Sequence, residues 1–167
     1  GLLETKLGIP FRTPAEGHNI AFTSLWDNYP DSLQIPLQGK ASRAYLLMAG
    51  STNHMQCHID NGVIRVYYED GTCDTLSLVN PDNWPPIEQI FFEDGKSFNR
   101  HAPSLYRLRL KTGELSNNFG EELGFTGVSR EVDGGAAVLL EMSLNAGKKL
   151  SHLVLETLSN EVVIGIM

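Results

Sequence analysis

Apolar residues recur along the chain in short runs, often alternating with polar ones, and turn-forming residues separate the runs. Period-two alternation points successive side chains to opposite faces of a strand, so the pattern predicts strands. They are expected over residues 9–13, 19–24, 33–37, 42–49, 63–69, 72–78, 87–92, 105–111, 136–144, 150–158 and 161–167. Pro36 suits an edge strand or a strand end, because proline cannot donate to a ladder. In 105–111, Tyr106, Leu108 and Leu110 alternate with Arg107 and Arg109, which predicts a half-buried strand.

The clearest local signal covers residues 62–78. Val63, Ile64, Val66, Tyr67 and Tyr68 are β-branched, aliphatic or aromatic, and Asp70-Gly71 is a hairpin turn signal that needs positive φ. A two-residue turn would pair Glu69 with Thr72, so that Tyr68 faces Cys73 and Val66 faces Thr75. Ile64, Val66 and Tyr68 then share one face, and Val63, Tyr67, Leu76 and Leu78 share the other. Both faces are largely apolar, which predicts a hairpin covered on both sides. Consecutive strand order would put the intervening strand between Cys57 and Cys73, about 10 Å apart, so both are expected as free thiols.

No segment carries a sustained 3.6-residue apolar stripe with caps. The stretch 112–127 is rich in Gly, Asn and Glu and reads as a long excursion with one helical turn near Glu121. About ten short strands with little helix predict an all-β fold, a β-sandwich, over residues 1–167 as one domain. A chain of 167 residues buries enough apolar surface to fold without metal or disulfides.

Charge narrows the function classes. The net charge is −7, and no run of basic residues is present, which argues against nucleic acid as a partner. The longest apolar stretch, residues 162–167, is too short to span a membrane. No signal peptide is visible, and Gly in place of Met at position 1 reads as a processed or excised piece of a larger protein.

Several residue groups suggest chemistry, and each also has a simpler role. His54 and His58 invite a metal reading, but on a strand residues four apart are roughly 13 Å apart, too far to share one ion. No metal and no cofactor are expected. There is no Gly-x-Ser-x-Gly elbow for a nucleophile, and adjacency of Glu69/Asp70 or Glu121/Glu122 does not make a catalytic pair, since adjacent strand residues face opposite ways. Aromatic loops are the sharper signal. Trp26 lies with Asp27, Asn28 and Tyr29 in one loop, and Trp84 lies among Asn80, Asp82, Asn83 and three prolines in another. An indole offers an apolar face for a sugar ring, and neighbouring amides and carboxylates bond its hydroxyls. Trp26, Asp27, Asn28, Tyr29 and Trp84 are therefore the candidate carbohydrate-binding residues. The simpler role for either indole is to plug an end of the sandwich.

Several stretches together resemble one pattern: Gly8-Ile9-Pro10-Phe11; Ile35-x-Leu37-x-Gly39-x-Ala41 before Ala44-Tyr45-Leu46-Leu47-Met48-Ala49; Gly62-x-Ile64-x-Val66-x-Tyr68-x-Asp70-Gly71-Thr72, then Leu76-x-Leu78; Asn83-Trp84; and Leu150-x-x-Leu153-x-Leu155 before Val162-Val163-Ile164-Gly165. The chain thereby resembles the galactose-binding-like jelly-roll domains attached to bacterial glycoside hydrolases and related secreted enzymes. Residues 92–132 have no counterpart in that pattern. The resemblance implies a jelly-roll β-sandwich, an extracellular or periplasmic setting and a non-catalytic role beside a catalytic domain. Some relatives in that family bind sugars and others only brace their neighbour. Its motifs are core and turn positions, so they carry no ligand residue over to this chain.

Overall fold

The computed structural model describes residues 1–14, 16–88, 101, 103–122 and 131–167. Its elements are β1 (Leu2–Glu4), β2 (Pro10–Arg12), β3 (Ala21–Ser24), β4 (Ser32–Pro36), β5 (Arg43–Thr52), β6 (Asp60–Tyr68), β7 (Cys73–Val79), β8 (Tyr106–Arg109), β9 (Leu115–Ser116), α1 (Phe119–Glu122), β10 (Ala136–Ser143), β11 (Leu150–Thr157) and β12 (Val162–Ile166). One sheet has the order β3-β12-β5-β10-β8-β9, a second has β4-β11-β6-β7, and β1-β2 is a separate ribbon. Among the described residues the named strands all pair antiparallel. The fold is all-β and β-sandwich-like. Its helical exception, α1, lies where a turn near Glu121 is expected. The predicted strand 87–92 lies mostly outside the described residues, and its first two residues form a turn. The alternating pattern also missed β1 and β9, which are only three and two residues long.

The main sheets pack face to face. Leu46 and Met48 of β5, Val138, Leu140 and Met142 of β10, and Val162 and Ile164 of β12 meet Ile64, Val66, Leu78, Leu153 and Leu155 from the smaller sheet. Opposite faces of β5 and β10 also bury Leu47, Ala49, Ala137 and Leu139, beneath Leu3 and Phe11 of the β1-β2 ribbon. The continuous apolar run from Leu46 to Ala49 is thereby explained, since a strand covered on both faces has no polar side to present. Pro36 lies on β4, an edge strand, as its missing N–H requires.

The hairpin at Asp70-Gly71 forms, with a different register from the expected one. Tyr68 N donates to Thr72 O (2.9 Å) and Gly71 N to Tyr68 O (3.0 Å), so three residues, not two, make the turn. Gly71 takes φ +83°, the left-handed conformation that a three-residue hairpin needs. Tyr67 therefore faces Cys73, and Ile64 faces Leu76. A one-residue slip exchanges the faces. Leu76 and Leu78 turn inward beside Ile64 and Val66, instead of outward with Val63 and Tyr67. The outer face is not covered as expected. It carries half-exposed Arg65 and Tyr67, paired with Glu156 (2.5 Å) and stacked on His152 (4.8 Å between centroids).

Arg107 also departs from expectation. Although it alternates with apolar neighbours, it is buried, and its guanidinium donates to the carbonyls of Pro86 (2.9 Å) and Ala136 (2.7 Å). An arginine can be buried where carbonyls satisfy its fork of donors. Neither Cys57 nor Cys73 is in a disulfide, with Cys57 before β6 and Cys73 at the far end of that hairpin, at the start of β7.

The register divides the loops between two ends. Ser24 lies opposite Val163, Thr52 opposite Val162, Gly62 opposite Thr157 and Asp60 opposite Val79. Loops 25–31, 53–59 and 158–161 and the turn that begins at Asn80 therefore share one end. Loops 37–42, 69–72 and 144–149 share the other.

Candidate functional site

The turn after β3 is held from below. Ser24 Oγ donates to Val162 O (2.7 Å) and accepts from Trp26 N (3.3 Å), while Ser24 N donates to Pro30 O (3.1 Å). Tyr29 N donates to Trp26 O (3.0 Å), closing a four-residue turn over Trp26, Asp27, Asn28 and Tyr29. All four side chains are exposed, Trp26 at 52%. Tyr29 also packs edge-on against exposed Phe22 of β3, with centroids 6.4 Å apart. Four of the five candidate sugar-binding residues thus lie on one ordered, solvent-facing turn.

Trp84, the fifth, has a different place. It is 0% exposed and belongs to the core between the sheets. The residues around it explain why. Asn83 Oδ1 accepts from Val79 N (2.7 Å), Asn83 Nδ2 donates to Ser77 O (2.8 Å), and Trp84 N donates to Val79 O (3.2 Å). These bonds fold the chain back over the end of β7 and turn the indole inward. Opposite it, Gly50 leaves the room, since a Cβ there would come within 2.8 Å of the Trp84 ring. The Asn and Pro residues of this loop therefore build a turn, and Trp84 offers no face to a ligand.

Two neighbouring loops complete this end. Leu158 N and Ser159 N donate to Asn61 O (2.9 and 3.2 Å), and Asn53 Nδ2 bonds Glu161 Oε2. Buried Asn61 is the hub, accepting from Thr52 Oγ1 and donating to Gln56 O and Ile59 O. Around this polar hub the apolar side chains point outward: Met55 is 82% exposed, Ile59 50% and Leu158 42%.

Residues 53–59 form a loop, so the strand-spacing argument for His54 and His58 does not apply to them. His58 meets Asp82 and His101 instead, and the ligand atoms of these three lie within 4.8 Å of one another. The Nδ1 atoms of His58 and His101 are 4.0 and 3.8 Å from Asp82 Oδ2, and the two rings stack with centroids 4.4 Å apart. Sequence reasoning missed this group. Its members are scattered over more than forty residues, with no ligand spacing to notice.

Three of the four acids in the sequence pairs have structural partners. Asp70 meets Lys148 Nζ (2.8 Å), and hydrogen bonds from Lys148 and Thr72 hold its carboxyl down at about 2. Glu69 faces Lys149 (3.7 Å) at the opposite end from Trp26. Glu121 accepts from Asn118 Nδ2 (2.6 Å) at the start of α1. On the small sheet, the hydrogen bond to Glu156 raises the Arg65 guanidinium. A groove of about 510 Å³ beside Asn83, Leu105 and Tyr106 has neither indole on its wall. No helix among the described residues is long and apolar enough to cross a membrane. No protein-family model, curated protein or solved structure matches this chain.

Proposed function

We propose that this chain is a non-catalytic carbohydrate-binding domain that serves an extracellular or periplasmic carbohydrate-active enzyme, built as a galactose-binding-like jelly roll. The observation that carries the reading is the exposed Trp26 on its hydrogen-bonded turn, with Asp27, Asn28 and Tyr29 beside it. Hydrogen bonds to well-solvated sugar hydroxyls gain little net energy, so stacking on an apolar ring must supply the surplus. A turn already ordered in the free protein lowers the cost of binding. The strand order supports the jelly-roll part. From β3 to β6 the chain alternates between the two sheets, makes one hairpin to β7, returns to the larger sheet at β8, and alternates again from β10 to β12.

A glycan array on the whole chain tests this reading, with Trp26→Ala as the control variant. Binding by the wild type and its loss in Trp26→Ala, at an unchanged melting temperature, is the expected result. Failure of the wild type to bind any glycan at millimolar concentration, or undiminished binding by the variant, would sink it.

A second reading has its own support. Met55, Ile59 and Leu158 add apolar surface to the same end, and a sugar has little use for it. In this reading the end docks against a neighbouring catalytic domain and braces it, with no ligand of its own. Replacing Met55 and Ile59 with Ser distinguishes the two, since sugar binding through Trp26 survives that change and domain docking does not.

A further inference from the structure

We propose that His58, Asp82 and His101 bind a divalent transition-metal ion of the zinc class at the open end of the sandwich. Two imidazole nitrogens and one carboxylate oxygen are the donors that zinc and its neighbours prefer, whereas calcium and magnesium take oxygen sets. The geometry suits an ion between the groups. Each imidazole Nδ1 lies 3.8–4.0 Å from the same carboxylate oxygen, too long for a hydrogen bond. An ion about 2.0–2.2 Å from each donor spans a gap of that size. The widest separation in the group is at most 4.8 Å, so the ligand atoms draw together when the ion binds.

The backbone around the three residues holds them for this purpose. His58 takes φ +56°, a conformation uncommon outside glycine and one that tends to occur at functional sites. Its N donates to Asn80 O (2.7 Å), and Cys57 forms a bridge with Asn80, which fixes His58 two residues from Asp82. Asp82 uses its oxygens differently. Oδ1 accepts from the backbone N of His101 (2.6 Å), while Oδ2 faces both imidazoles. One carboxylate thus positions the third ligand and serves as a ligand itself, the kind of orienting contact that metal sites rely on. The His101 side chain is 67% exposed, so an ion reaches the site from solvent and water completes its coordination. Bound metal would join loop 53–59, the turn at Asp82 and the chain at His101, which lie far apart in sequence. The inference stands independently of sugar binding.

The test uses the whole chain, first treated with a chelator. Zn²⁺ is titrated calorimetrically and by thermal melting, with Co²⁺ as a visible-absorption probe and Mg²⁺ as the oxygen-preferring control. The expected result is a melting temperature that rises with Zn²⁺ but not with Mg²⁺, and Co²⁺ bands characteristic of nitrogen and oxygen ligands. Asp82→Asn keeps an acceptor for the His101 N–H, and His101→Gln changes an exposed side chain, so neither threatens folding. Each lowers Zn²⁺ affinity by about tenfold or more, since loss of a mere outer-shell partner already costs about that much. No response of the wild type to Zn²⁺, or wild-type affinity retained in both variants, overturns the proposal.

Discussion

The two ends of the sandwich are finished in different ways. At the hairpin end, charged side chains find partners: Lys148 meets Asp70, Lys149 meets Glu69, and Lys148 Nζ also donates to Thr72 Oγ1 (2.6 Å). Tyr68 ties the same end together, donating to Asp74 and accepting from Asn145 N (2.7 Å); burial and the bond to Asp74 push its phenol up. The open end has an equally complete backbone network around Asn61, yet it leaves Trp26, Met55, Ile59 and Leu158 in solvent and gathers two histidines around one carboxylate. Both ends hold the fold, but among the described residues the open end leaves more large apolar side chains in solvent. Exposed apolar side chains add nothing to folding stability, and their concentration at the open end is what the proposed binding surface would use.

The sharpest way to break this contrast is to compare the two tryptophans. Trp84→Ala empties the core beneath the open end and is expected to cost about 3–5 kcal/mol in urea denaturation. Trp26→Ala is expected to stay within about 0.5 kcal/mol of wild type. Similar losses in both variants would mean that the Trp26 turn belongs to the core.

A smaller effect tests the hairpin end. Gly71→Val puts a β-branched side chain at φ +83° and should destabilise the protein by about 1–3 kcal/mol. Met55→Ser, at the tip of the open end, should fall within about 0.5 kcal/mol of zero. An unchanged denaturation midpoint in Gly71→Val is incompatible with the three-residue turn.

The smallest expected effect is electrostatic. Asp70 has its folded-state pKa lowered from 3.8 to about 2, chiefly by the hydrogen bond from Lys148. Its contribution to stability is therefore present above pH 3.8 and is lost as the pH falls toward 2. Nuclear magnetic resonance of the side-chain carboxyl should give a midpoint about 2, and Lys148→Met should raise it. An ordinary midpoint in the wild type would mean that the hairpin end is as loosely paired as any solvated surface.

Much of this fold is legible before folding. Period-two runs locate ten of the twelve strands, and the double-sided apolar run of β5 follows from its central place in the larger sheet. Register is harder to read, because Asp70-Gly71 fits a turn of either two or three residues. Only the bond from Tyr68 N to Thr72 O chooses between them, and with it the face on which Leu76 and Leu78 lie.

The site divides along the same line. Exposure of Trp26, Asp27, Asn28 and Tyr29 agrees with a polar, aromatic loop read from sequence alone. A very similar mixture of Trp, Asp, Asn and Pro gives the opposite outcome at Trp84, because Asn83 spends its amide on β7 and Gly50 leaves a cavity for the ring. Composition determines which residues can meet a ligand, since that depends on the chemistry of each side chain. Only the tertiary structure decides which of them face solvent and which distant residues become neighbours, because packing and backbone hydrogen bonds, not chain distance, bring His58, Asp82 and His101 together.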